Sequence, residues 1–214
     1  MNKKQTLALP VRKGSAPLAK RVKFVLLFLS MEQPLRKLQI GVMGSAADLN
    51  YSDTIQTLAY DVGRAIAESG NITVYGAEKD YDSLSTAASR GAKSVGGLTV
   101  GVTYGKGKNI WDTDGNTDVI VVTGIERGGG REFVLVNSCD AIVIISGGSG
   151  TLTETAIAYQ MNIPIVALVG TGGWADKLAD SFIDARNRVK VVAAQTPTEA
   201  AAIAISLAKE YAAR

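Results

Sequence analysis

From Leu38 onward, apolar runs of strand length alternate with segments whose apolar residues recur at helical spacing. The strand-like runs are LQIGVMG, ITVYGA, LTVGVTYG, DVIVVTGI, DAIVIISGG, IPIVALVG and VKVVAA. After the first, Ile55, Leu58, Ala59, Val62 and Ile66 line one helical face, with Gly70 as a stop signal. YDSLSTAASRGAKSVGG predicts a second helix opening near Asp82 or Ser83, and GREFVLVNSC a third. Further helices are predicted from Thr151 to about Met161 and over WADKLADSFIDARN. The last opens on Thr196-Pro197-Thr198-Glu199, a capping box with proline at the first helical position. DAIVIISGG is almost continuous in Ile and Val, the mark of a parallel strand covered on both faces. Few folds accept this alternation. It implies a single α/β domain, doubly wound, with about seven mainly parallel strands and helices on both faces. Ligands in such sheets bind beyond the carboxyl ends of the strands. Here those ends are residues 44–52, 76–83, 103–117, 124–131, 146–152 and 170–174.

Composition removes several chemistries from consideration. The chain has no histidine, which excludes His-dependent triads, His-based zinc sites and an imidazole base. Its single cysteine, Cys139, excludes an internal disulfide, makes a structural zinc site improbable and fits a reducing, cytoplasmic setting. Beside a buried strand, that thiol is expected to be inert packing. No protein-ligated metal is expected. The net charge of +3 is deceptive, because seven of the 23 basic residues and none of the 20 acidic ones lie in residues 1–30. Residues 31–214 thus hold 16 basic and 20 acidic residues, a net charge of −4. This gives no footprint for nucleic acid, and no apolar run reaches the ~18–20 residues of a membrane span. The basic segment 1–30 ends in FVLLFLS, a shorter apolar core than the ~7–15 residues of a secretory signal. It reads as a dispensable extension, upstream of a translation start at Met31, with 31–214 as the domain.

The densest chemistry lies in IISGGSGTLTETAIAYQ, residues 144–160. Glycines after a buried strand permit positive-φ turns and close approach of a ligand to the backbone. A helix starting near Gly150 then offers unpaired N–H groups and a positive dipole end, a setting suited to phosphate. Gly147, Gly148, Ser149, Gly150 and Thr151 are therefore candidate phosphate contacts. The pattern is neither a Walker loop nor G-x-G-x-x-G. Thr151-x-x-Glu154 also has capping-box spacing, which would stabilise the helix with no ligand at all. Upstream, Arg127 and Arg131 bracket Gly128, Gly129 and Gly130, where guanidinium groups could fork onto phosphate or carboxylate. Gly44 and Ser45 add a further turn at the end of the first strand. Trp174 suits either a pocket rim or helix-start packing, and 103–117 either a lid or a solvated loop.

Arg131, Asp140 nine positions later and AIVIISGGSGTLTE together resemble the signature of LOG-type Rossmann proteins, in which a helix bearing Arg and a strand precede P-G-G-x-G-T-x-x-E. With QIGVMGSA, the resemblance extends over roughly residues 38–210. It implies a Rossmann-like fold and a nucleoside 5′-monophosphate phosphoribohydrolase, of the kind that releases cytokinin bases by cleaving the N-glycosidic bond. Gly147, Gly148, Gly150 and Thr151 would then hold the phosphate, with Arg131 and Glu154 as the catalytic pair. Three departures point elsewhere. Ser146 replaces the usual Pro, and Glu132 replaces the usual Lys after the Arg. In YGAEKDYDSLSTAASRGA, most glycines of the second-strand turn have given way to Glu78, Lys79 and Asp80. These features resemble more closely a sister branch, the molybdenum-cofactor carrier proteins, which bind and protect a phosphorylated pterin. The resemblance implies the molybdenum cofactor as cargo and a homodimer or homotetramer. Its protein partners would be molybdoenzymes or cofactor-synthesis proteins.

Overall fold

The computed structural model describes residues 36–212. The predicted extension, residues 1–30, lies outside the described residues. Seven strands form one wholly parallel sheet: β1 (Gln39–Gly44), β2 (Ile72–Gly76), β3 (Leu98–Thr103), β4 (Val119–Val122), β5 (Ala141–Ile145), β6 (Ile165–Leu168) and β7 (Val191–Ala194). Their order across the sheet is β4-β3-β2-β1-β5-β6-β7. The chain builds outward from β1 to β4, then returns to the other side of β1. Gly44 is thereby set beside Ile145 in the β1–β5 register, so loops a hundred residues apart open at the same point. Ligands bind at this reversal in doubly wound sheets, because the diverging loops leave a crevice there.

Among the described residues six α-helices cover the sheet: α1 (Asp53–Glu68), α2 (Leu84–Ser94), α3 (Gly130–Asn137), α4 (Ser149–Met161), α5 (Gly173–Leu178) and α6 (Pro197–Ala212). Alternate residues of each strand face opposite sides. On β5, Ala141, Val143 and Ile145 join a core with Val62 and Ile66 of α1, Leu84 of α2 and Ala204 of α6. Ile142 and Ile144 join the opposite core, with Leu135 of α3, Tyr159 of α4 and Ala175 of α5. Both faces of β5 are buried, as its Ile/Val run requires.

Where α1 crosses α2, a Cβ on Gly63 would lie 1.8 Å from the Ala88 carbonyl oxygen. A Cβ on Gly91 would lie 1.8 Å from that of Tyr60. The obstacle is backbone in both cases, so no rotamer change can relieve it. Gly63→Ala is expected to force the helices apart and cost about 1–3 kcal/mol, as overpacking generally does. Urea denaturation checks this, and an unchanged midpoint would contradict the close crossing.

Two sequence expectations about helices need correction. WADKLADSFIDARN is not one helix: α5 ends at Leu178, Ala179 turns to extended backbone and Asp180 takes φ +58°. The segment instead bridges Phe182 to Lys190 beside β7, and Asp184 accepts hydrogen bonds from the Arg186 backbone N–H and the Tyr159 hydroxyl. Non-local partners thus outbid a helical period. Helix α4 starts at Ser149, with Gly148 as its N-cap and no side-chain cap. Thr151 therefore lies inside the first turn, and Thr151 and Glu154 form no capping box. The box expected for the last helix does form in outline. Thr196 Oγ1 accepts from the Glu199 N–H, and the Glu199 carboxylate accepts from the Gln195 N–H.

Candidate functional site

The turn after β5 is built from both sides. Ser45, at the end of β1, accepts the Gly147 N–H at 2.9 Å and donates to Ser146 Oγ at 3.1 Å. Thr171 accepts the Ser146 N–H, and the first N–H groups of α5, on Trp174 and Ala175, bind the carbonyls of Gly147 and Ser146. Trp174 enters this turn through its backbone N–H alone; its ring lies under the Lys177 ammonium at 4.7 Å and does not line the cleft. Ser146 itself sits at φ +54°. A proline, locked near about −65°, could not adopt that conformation, which gives the departure from P-G-G a geometric basis. Gly147 sits at φ +103°, and a Cβ there would meet the Thr151 side chain at 2.6 Å. Its positive φ and its crowding both call for glycine.

Gly148 and Gly150 differ. A Cβ on Gly148 would touch only the tip of Leu49, at 2.6 Å, and one on Gly150 would meet nothing within 4 Å. Neither has positive φ. Glycine suits Gly148 as an N-cap, and the Leu49 tip would have to move for a Cβ there; at Gly150 folding gives no reason for glycine. The N–H groups of Ser149, Gly150 and Thr151 belong to the first turn of α4, where no carbonyl lies one turn back to receive them.

These residues line a cleft of about 330 Å³. Gly44, Ser45, Gly148, Ser149, Gly150 and Thr151 form one part of its wall; Arg127, Gly128, Arg131 and Glu154 contribute to another. Three sequence candidates stand behind that lining. Gly147 gives its N–H to Ser45, Gly129 gives its N–H to Glu132 at 2.7 Å, and Gly130 packs on Ile125. They shape the turns that other residues present. Gly129, at φ +125°, makes the three-glycine stretch a tight turn into α3, with Glu132 reaching back to cap it. Asp140 lies at the other end of the sheet, holding the Gln39 N–H at 2.8 Å.

Both arginines are already engaged by carboxylates. Arg131 is 5% exposed and donates from Nη2 to Glu78 at 2.9 Å, with Glu132 at 3.3 Å. Its Nη1 lies 4.0 Å from Glu154, and its Nε has no hydrogen-bond partner. A Cβ on Gly76 would stand 1.9 Å from Nη1, so this strand-end glycine leaves the guanidinium room to lie across β2. Arg127 ties down the loop after β2. It reaches Glu78 at 3.4 Å, Asp80 at 3.0 Å and the Tyr81 hydroxyl, and stacks 4.7 Å from the Tyr104 ring. The 103–117 loop joins this assembly through the Trp111 N–H, which binds the Glu78 carbonyl at 2.8 Å.

Glu78, Glu132 and Glu154 are all buried and all line the cleft. Burial disfavours charge on Glu78 and raises its pKa, against the opposing pull of Arg131 and Arg127. Burial also lifts Glu154 to about 8, opposed by Arg131 and reinforced by Glu132 and Glu78. Glu154 therefore carries a proton near neutrality. Sequence reasoning singled out the 76–83 loop for its charges but missed Glu78 as a partner of Arg131, along with cleft residues Tyr81, Ser83 and Ser85. The only local signals were a carboxylate just past a strand end and a serine-rich helix start. Cys139 is buried, its thiol faces the Leu135 carbonyl at 3.2 Å, and burial pushes its pKa far up.

Residues 37–201 match the SLOG cluster4 family. An uncharacterized protein of Archaeoglobus fulgidus is 31% identical over 134 residues, covering 63% of this chain and 82% of its own length. Among solved structures, the molybdenum cofactor carrier protein of Chlamydomonas reinhardtii superposes with a TM-score of 0.66 at 32% identity, over 80% of this chain and 98% of that one. The molybdenum cofactor binding protein of Rippkaea orientalis does so with a TM-score of 0.66 at 29% identity, over 81% and 98%.

Proposed function

The chain belongs to the SLOG cluster4 family, and from that membership and the geometry of the cleft we propose that it binds and protects a phosphorylated cofactor, the molybdenum cofactor being its cargo. One observation carries the phosphate cradle: Gly150 is glycine inside the first turn of α4, where a Cβ would meet nothing within 4 Å. Glycine in a helix costs up to about 1 kcal/mol relative to alanine. Leaving the N–H groups bare for an anion gives that cost a purpose, and the positive end of a 13-residue helix adds to the attraction. The similarity to carrier and binding proteins for the molybdenum cofactor supports the choice of cargo. The arginines support holding over turnover, because Glu78 and Glu132 occupy Arg131 and leave it 4.0 Å from Glu154.

Gly150→Ala separates folding from binding. The variant is expected to be as stable as the wild type or up to about 1 kcal/mol more stable. Its affinity for ribose 5-phosphate should fall about tenfold, which corresponds to about 1.4 kcal/mol. Calorimetric titration beside thermal melting checks both, and an unaltered affinity would remove the cradle. For the cargo, mass spectrometry and metal analysis of the purified protein should find molybdopterin, bound saturably and without turnover. The rival is phosphoribohydrolase activity, with Glu154 donating its proton to the leaving base. Release of free base from nucleoside monophosphates, abolished in Glu154→Ala, would overturn the carrier reading.

A further inference from the structure

The cleft has two chemically opposite ends. One presents the hydroxyl of Ser45 and the N–H groups at the start of α4; the other presents Glu78, Glu132 and Glu154. Gly150 and Glu154 lie one helical turn apart on the same face of α4. A ligand whose phosphate caps the helix would thus extend the rest of its body toward the carboxyl of Glu154.

The carboxylate end has more acceptors than the protein fills. Each carboxylate can accept about four hydrogen bonds. Glu132 takes the Gly129 N–H and pairs with Arg131, and Glu78 takes both arginines. Among the described residues Glu154 accepts no hydrogen bond, its ion partner being Arg131 at 4.0 Å. A buried carboxyl left in this state is costly, and a ligand that donates to it recovers that cost. A second anionic group is disfavoured here, with three buried carboxyl groups around one guanidinium. The ring must bring donors. Two parallel N–H donors match the fork of a carboxylate, so Glu154, protonated near neutrality in the free protein, releases its proton to solvent as such a ring binds. The 2-amino-4-oxopyrimidine edge shared by guanine and pterin offers such a pair, a ring N–H beside an amino group. Hypoxanthine lacks the amino group, and xanthine puts a carbonyl in its place.

We propose that Glu154 reads the 2-amino-4-oxopyrimidine edge of the bound ring and makes the cleft selective for pterin- and guanine-type phosphates. This rests on the phosphate cradle proposed above. Glu154 then acts as a specificity residue, distinct from any part in bond cleavage.

The test measures equilibrium binding of GMP, IMP, XMP and ribose 5-phosphate to the wild-type protein and to Glu154→Gln, with thermal melts confirming that both are folded. GMP is expected to bind about tenfold more tightly than IMP or XMP, the scale of one buried hydrogen bond. In Glu154→Gln, which keeps one acceptor and gains a donor, the ratio should fall to near one. Equal wild-type affinity for the three nucleotides, with ribose 5-phosphate still bound, would overturn the selectivity and spare the cradle. A GMP preference that survives in Glu154→Gln would overturn the assignment to this residue. Failure of all four ligands to bind would remove the cradle, and this inference with it.

Discussion

Arg131→Ala is expected to abolish ligand binding and to destabilise the protein by about 3–5 kcal/mol, the usual cost of stripping one partner from a buried ion cluster. The guanidinium is 5% exposed and stands between Glu78 at 2.9 Å and Glu132 at 3.3 Å, with Glu154 at 4.0 Å. Without it, Glu78 keeps Arg127 at 3.4 Å, but the buried carboxyl cluster loses its central cation and must hold poorly compensated charge, take up protons, or open the cleft to water. Each route costs stability near neutrality, and proton uptake becomes easier as pH falls. The loss should therefore shrink in acid. Arg131→Lys keeps one charge but cannot fork to several carboxylates, so it should recover only part of the stability. Urea titrations near neutral and at mildly acidic pH check the series. A variant as stable as the wild type at neutral pH would show that the three glutamates do not depend on this cation.

Glu154→Gln should have the opposite sign. Burial raises the Glu154 carboxyl from an ordinary 4.5 to about 8. At low pH both the folded and the unfolded chain hold this proton, and the group has no net effect. Above its ordinary value the unfolded chain loses the proton while the folded chain keeps it. The folded state then binds more protons, so stability falls with rising pH until the folded pKa is passed. Each unit of that gap is worth about 1.4 kcal/mol, and the accumulated penalty near pH 8 is on the order of 4 kcal/mol. Glutamine cannot ionise and escapes the penalty. The variant should match the wild type in mild acid and be clearly more stable near pH 8. Parallel stability curves for the two proteins across that window would contradict the buried, protonated carboxyl. The same ionisation places a negative charge one turn below the phosphate cradle. Affinity for ribose 5-phosphate, which brings no ring donors to meet that charge, should therefore decline as pH rises through about 8.

Arg131 and Glu154 show how far the residues alone could lead. Their pairing came from resemblance to LOG-type proteins, and the structure does bring them within 4.0 Å. The Thr151–Glu154 spacing fitted a helix cap equally well, and only the start of α4 at Ser149 turned Glu154 inward instead. Arg127 lines the cleft as expected of an anion contact, and its guanidinium also binds Glu78, Asp80 and Tyr81, partners no local pattern announces. Glu78 was visible only as a lost glycine, because its partner lies 53 residues away.

What the sequence determined by itself was whatever repeats over a few residues. The alternation of strand and helix periods, the double burial of DAIVIISGG and the turn after it are local patterns, readable from the spacing of side chains. The tertiary structure alone decided which loops meet. Setting β1 beside β5 joins Ser45 to Gly147 across 102 positions and brings three glutamates around one arginine. Strand order and desolvation depend on contacts between distant segments, and no short window of residues contains that information.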